Sequence, residues 1–270
     1  MFRYRPRTAR PRTAANTLEK LNRLFGTWLP EPLSTITVER IESWKIRRVN
    51  AGRVATTVMR DIFTLSSVLR RAVRVGKLKD NPVRWVDKPR IDRRPKIRYL
   101  DEPEEARLRA ALNARDAEIR ATRESGNARR QYRHEELLPP LPHFGDHLTP
   151  AILLSMNTGL RRGELLALRW ECVDFKQQFL TVEGGTAKSR QTRHVCLNEE
   201  AIRVLQCWRD HAESGKRVFE FKTSFKKGWA PLLKRAQITK FRWHDLRHHF
   251  ASRLVQKGGT AQHRAGPARS

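Results

Sequence analysis

No apolar run in this 270-residue chain approaches the ~20 residues needed to cross a bilayer. The basic N-terminus, MFRYRPRTARPR, also lacks the apolar stretch of a secretory signal, so neither export nor a membrane span is expected and a cytoplasmic location follows. Cysteine is scarce. Cys172, Cys196 and Cys207 form no C-x-x-C pair and have no histidine at ligand spacing, which argues for buried thiols over a disulfide framework or a zinc site. His134, His143 and His147 fall in a charged stretch without convergent acids or thiols and read as solvated. With no Walker A loop and no dinucleotide fingerprint either, the sequence calls for no cofactor and no metal. Internal repeats and low-complexity tracts are absent. Tyrosine is equally rare: Tyr4, Tyr99 and Tyr132 are the only three, all in the first half of the chain.

Acidic residues are the other shortage. Asp and Glu number 28 against 56 Lys and Arg, a formal charge of +28 with a pI near 11.3. Residues 1–98 carry 25 basic and 8 acidic side chains, net +17; the remainder carries 31 and 20, net +11. Self-repulsion on this scale is best tolerated against a polyanion, with nucleic acid ahead of an anionic membrane surface.

The chain is organised around TGLRRGELLALRWECVD, residues 158–174. A buried helix arrives through Ala151-Ile152-Leu153-Leu154, and Gly159 is placed to end it. Arg161 and Arg162 then sit on a tight turn before Leu165, Leu166, Leu168 and Trp170 return to the core. An arginine held between two buried segments keeps its guanidinium fork aimed, as bidentate phosphate recognition requires. For an isolated Arg-Arg, an exposed cationic turn with Glu164 as its capping or pairing acid is the plainer reading. Two further stretches bear on it. A hairpin is predicted from Phe179–Glu183 and Arg193–Leu197, with Lys188 near its tip. HDLRHHF then places His244 and Arg247 three apart on one face of a predicted helix.

Arg161 in TGLRRGEL, Lys188 in AKSRQTRHVCL, and His244 with Arg247 in HDLRHHFASRLVQKGG resemble, in that order, the tyrosine recombinases of the phage-integrase family. The resemblance covers nearly the whole chain up to Gly259. It implies that Arg161 and Arg247 hold the non-bridging oxygens of a scissile DNA phosphate, that Lys188 protonates the departing 5′ oxygen, and that His244 orients or deprotonates the nucleophile. It also implies double-stranded DNA as partner, a recombinase oligomer (a tetramer in full-length relatives), and strand cleavage through a phosphotyrosine. No tyrosine follows His244 and Arg247, so no nucleophile is assigned. His263 lies outside any LGH-like segment, and the tail 260–270 resembles a truncated or out-of-frame ending. The chain is therefore expected to lack independent cleavage. Its alternatives are a non-catalytic DNA-binding regulator of a full-length recombinase, or an integrase remnant.

The fold expected is mainly α with a small β-hairpin or sheet (α+β). Residues 1–12 read as a basic tail without fixed structure. Residues 13–87 form a small helical unit that resembles the family's core-binding domain, with a SAM-like arrangement. Its first helix carries Leu18, Leu21, Phe25 and Trp28. A second, capped by Thr37, turns Val38, Ile41 and Val49 to one side. A third buries Val58, Ile62, Leu65, Leu69 and Val73, leaving Arg53, Arg60, Arg70, Arg71 and Arg74 mainly off the apolar stripe for phosphate contacts. Residues 88–97 are a basic linker whose Arg93 and Arg94 are further DNA-contact candidates. Residues 98–259 form the catalytic unit, opened by a helix from Pro103 to about Ala114. A charged insertion, 115–147, follows with a separate helix and a proline-stiffened loop. Phe250 and Leu254 are expected to leave an apolar patch open to solvent.

Overall fold

The computed structural model describes residues 11–89, 97–185, 191–210, 215–220, 225–256 and 258. The architecture is mostly helical with one three-stranded antiparallel sheet. The chain divides into two compact units, 1–94 and 95–270.

In the first unit, α1 (Pro11–Phe25), α2 (Val38–Asn50) and α3 (Ala55–Arg74) enclose a core of Leu21, Phe25, Ile41, Ile62, Leu65 and Leu69. The Phe25 ring lies 4.7 Å from Trp44 and 5.2 Å from Trp28. Thr37 caps α2 by accepting from the Arg40 N–H, and Trp44 is buried beside Ile41. Val49, expected inside, is 41% exposed. Trp44 occupies the inward position one turn after Ile41, and Val49 lies a further turn along, where α2 ends. Asp61 on α3 is buried and accepts an ion pair from Lys20 of α1 at 2.8 Å, with Arg48 of α2 at 3.7 Å. A buried carboxylate is tolerated only when so paired, and here the pairing ties three helices together.

In the second unit, α4 (Glu102–Tyr132) starts at a capping box. Asp101 accepts from the Glu104 N–H at 2.7 Å, and Glu104 accepts from the Asp101 N–H at 3.3 Å. The expected stop near Ala114 and the separate charged helix are replaced by one continuous helix of 31 residues. Nothing between Ala114 and Gly126 breaks a helix, and the following segment ties itself to the helix's outer half. Arg120 donates to the His143 carbonyl and Arg123 to that of Pro139, both at 2.8 Å; Asn127 exchanges two hydrogen bonds with Leu138. His147 is partly buried, edge-on to Phe225 at 5.8 Å, so it is not the solvated side chain expected.

The remaining elements are α5 (Leu148–Thr158), α6 (Arg162–Ala167), β1 (Val173–Asp174), β2 (Phe179–Val182), β3 (Arg193–Cys196), α7 (Glu199–Arg209), α8 (Lys226–Arg235) and α9 (Asp245–Gln256). The sheet order is β1-β2-β3, with Leu180 opposite both Val173 and Val195. Helix α5 is the stem of this unit and packs against α7 and α9. Leu148, Ala151, Ile152, Leu154 and Met156 are all buried there. Two of its buried hydroxyls are satisfied within the helix: Ser155 donates to the Ala151 carbonyl at 2.7 Å and Thr158 to that of Leu154 at 2.6 Å. Thr149 donates instead to Asp116 of α4 at 3.0 Å.

Candidate functional site

The stem ends at Gly159, which adopts φ +60° and lets the chain leave α5 sharply. The same residue accommodates a close neighbour. A Cβ at Gly159 would lie 2.4 Å from Cδ1 of Phe250 on α9. Arg161 follows in extended backbone and precedes α6. Glu164, in the first turn of α6, accepts from the Arg161 backbone N–H and from its Nη1, both at 2.9 Å. From the sheet, Arg193 at the start of β3 donates through Nη1 and Nη2 to the two Glu164 oxygens at 3.1 and 2.6 Å. From α9, Arg247 donates Nη1 to the Gly159 carbonyl.

Three guanidinium groups therefore surround one carboxylate that is only 4% exposed. Burial alone would raise the Glu164 carboxyl. The Arg193 fork and the hydrogen bonds from Arg161 outweigh it and hold the group down at about 2. Burial pushes Arg247 downward, the neighbouring Arg161 adds to this, Glu164 opposes it, and Arg193 repels as well. With Glu164 ionised, the cluster keeps about two uncompensated positive charges. A polar oxyanion set against Arg161 and Arg247 is what such an arrangement binds.

His244 precedes α9 instead of lying within it, because the buried Asp245 accepts from the Arg242 backbone N–H at 2.8 Å and closes the turn there. Its imidazole stands edge-on to His248 at 5.1 Å. His244 is exposed, yet the desolvation it does undergo, then the charges of His248 and Arg247, press its pKa below the ordinary histidine value. The shift favours the neutral imidazole, the form that can accept a proton.

The structure thus brings together Arg161, Arg247 and His244. Lys188 lies outside the described residues, as do Arg93, Arg94 and Tyr4. Tyr99 and Tyr132 are 41% and 87% exposed, and neither takes part in the arginine cluster. Arg53, Arg60, Arg70, Arg71 and Arg74 are all exposed in the first unit. Among the described residues none of these five pairs with a carboxylate. Sequence reasoning missed Arg193 as a member of the cluster and gave Glu164 only as a capping or pairing acid of the Arg161-Arg162 turn; its bond to Arg193 of β3 was not foreseen.

A second side of α9 borders a cleft of about 300 Å3. Phe250, Leu254 and Met156 line it as expected for an apolar surface, but Glu105, Arg109, Glu200 and Arg253 line it too. Glu105 accepts from Arg109 and from Arg253, both at 2.9 Å, so ion pairs share the cleft with the apolar side chains. Among the described residues no group of three or more His, Cys, Asp or Glu is placed to hold a metal ion, and no helix is long and apolar enough to cross a membrane.

The model of the phage integrase family matches residues 145–263, the span holding Arg161, Glu164, Arg193, His244 and Arg247. Over 129 residues the chain is 33% identical to the integrase of Salmonella phage P22, covering 41% of this chain and 33% of that protein. Over 234 residues it is 27% identical to the shufflon-specific DNA recombinase of Escherichia coli, covering 84% of this chain and 52% of that one. The chain so spans between a third and about half the length of these curated relatives. Among solved structures, the Tn1549 transposon integrase in complex with a circular intermediate DNA has the same fold. The TM-score is 0.67 at 18% identity, covering 94% of this chain and 84% of that one.

Proposed function

The chain belongs to the tyrosine recombinase, or phage integrase, family, and on that footing we propose that it binds duplex DNA and addresses one backbone phosphate with Arg161, Arg247 and His244. The observation that carries this reading is the excess of two positive charges around Glu164. A phosphodiester brings one negative charge, and a pentacoordinate phosphorane brings a second. Fixed guanidinium donors therefore gain most as that second charge develops, which is the electrostatic term that dominates phosphoryl transfer. Arg247 is held by the Gly159 carbonyl, so its remaining donors are aimed without losing rotamer freedom on binding.

His244, kept neutral, would take or orient the proton of an attacking hydroxyl. Lys188, which matches the hairpin lysine of the family resemblance, is assigned the leaving-oxygen proton. The two units would grip the duplex as a clamp, with the exposed arginines of the first unit and Arg93 and Arg94 on phosphates. A full-length recombinase on the same site would supply the tyrosine that this sequence does not place after Arg247. By itself the 270-residue chain would bind without cleaving, so a DNA-binding regulator is the form its activity takes when no such partner is present.

The test is binding to a duplex site obtained by selection from a randomised pool. Arg161→Ala and Arg247→Ala should each weaken site binding by about tenfold or more, beyond the effect of Lys216→Ala as a charge control. Arg→Lys at either position should not restore it, since an ammonium lacks the fork. Equal effects from all three alanine variants would remove the phosphate assignment.

A further inference from the structure

Helix α3 presents two opposite faces. Val58, Met59, Ile62, Leu65, Leu69 and Ala72 are buried on one. At about 100° per residue, Arg60, Phe63, Ser67, Arg70, Arg71 and Arg74 fall together on the other, a strip about 21 Å long. The four arginines are exposed, with no carboxylate partner among the described residues, so the strip is a line of free cations. Phe63 stands in its midst, 51% exposed. The neighbouring hydroxyls are already engaged: Ser67 donates to the Thr64 carbonyl at 2.7 Å, and Thr64 donates to that of Arg60 at 3.0 Å while accepting from Lys20. Phosphate binding explains arginines but not an exposed phenyl ring set between them, because the ring offers a phosphate nothing.

We infer that α3 lies in the DNA major groove, with its arginines on the flanking phosphates and Phe63 packed on the C5-methyl group of a thymine, making Phe63 a determinant of sequence preference. The major groove is wide enough for one α-helix, and the thymine methyl is the apolar feature it displays. Charge fixes the occupant. An apolar ring ringed by four unpaired guanidinium groups disfavours a second copy of this basic chain and favours a polyanion with an apolar mark on its floor. The arginines then set register and affinity, and Phe63 contributes discrimination. This inference rests on the reading of the chain as a DNA-binding protein, and the experiment separates the two.

Wild type and Phe63→Ala are each used to select duplexes from a randomised 30-base-pair pool. Circular dichroism serves as a folding control; the exposed position makes unfolding of the variant unexpected. Wild type should enrich a motif with a fixed thymine. Replacing that thymine by deoxyuridine, which deletes only the methyl group, should weaken wild-type binding about fourfold, the value of one buried methyl. Phe63→Ala should bind the unselected pool as wild type does, with the same salt dependence. It should lose enrichment at that position and be indifferent to deoxyuridine there. Arg70→Ala with Arg71→Ala should instead weaken binding to every duplex and flatten the salt slope. If Phe63→Ala keeps both the motif and the methyl sensitivity, or if it alters only the oligomeric state, the inference is overturned while DNA binding stands. A wild-type chain that binds no duplex at low salt overturns both.

Discussion

Arg247 donates an Nη1 hydrogen bond of 2.5 Å to the backbone carbonyl of Gly159, 88 residues earlier in the chain. One turn further along α9, Phe250 covers the same glycine. The two contacts lock α9 onto the turn that carries Arg161, so the arginines of two distant motifs are placed by one piece of backbone. Gly159 is required twice over, for its positive φ and for the missing Cβ.

Gly159→Ala should therefore destabilise the chain by about 2–4 kcal/mol, the sum of left-handed strain and overpacking against Phe250. Urea unfolding measures it. In the Gly159→Ala background, Phe250→Ala should cost less than it does alone, because it removes the clash while the φ strain remains. Additive losses would mean that ring and glycine do not meet.

Glu164 gives a pH prediction. Its folded pKa of about 2 lies below the ordinary 4.5, so its contribution is fully present above pH 4.5 and is lost as pH falls toward 2. The linkage is on the order of 2–3 kcal/mol. Glu105, also held at about 2, first by the hydrogen bond from His249 and against burial, titrates over the same window. Glu164→Gln should be less stable at pH 6, since three guanidinium groups lose their carboxylate, yet should lose less than wild type between pH 6 and pH 3. Parallel curves for the two proteins would count against the cluster.

Charge should dominate non-specific binding. Each phosphate neutralised contributes about −0.9 to the slope of log affinity against log salt, so roughly 6–10 contacts imply a loss of orders of magnitude between 50 and 200 mM. Fluorescence anisotropy on a labelled duplex reads this directly. An affinity indifferent to salt would leave the +28 charge without its nucleic-acid partner.

Much of this arrangement was legible in the sequence where the signal is local. Gly159 after an apolar run, Thr37 as a cap, and the apolar rhythm of α3 all act within a few residues. The motif arginines were singled out by the resemblance of the stretches around them to family motifs, and the structure brings Arg161 and Arg247 to the same turn. Arg193 was not: its partner Glu164 lies 29 residues away on another element, and an arginine opening a strand looks like any solvated one. Strand β1 is only two residues long and exists through its pairing with β2, which no local propensity announces. The length of α4 was underestimated because its outer half is held by side chains reaching carbonyls of the following segment.

The remaining prediction concerns the covalent step. In the proposed reading, cleavage needs a tyrosine downstream of the His244–Arg247 pair, and this sequence has none there. Tyr132 sits at the end of α4 and Tyr99 just before it, and among the described residues neither is hydrogen-bonded to Arg161, Arg193 or Arg247. On the proposed assignment of the phosphate to Arg161 and Arg247, a nucleophile must approach the phosphorus to within about 3–3.5 Å, and neither tyrosine is expected to serve. Incubation of the 270-residue chain with a nicked suicide duplex should give no band shift on a denaturing gel. Fusing a relative's tyrosine-bearing segment after Gly258 should produce one, and Arg161→Ala in that fusion should abolish it. A shifted band from the unmodified chain, lost in Tyr99→Phe or Tyr132→Phe, would instead place the nucleophile upstream of every motif and require the phosphate to be bound somewhere other than between α6 and α9.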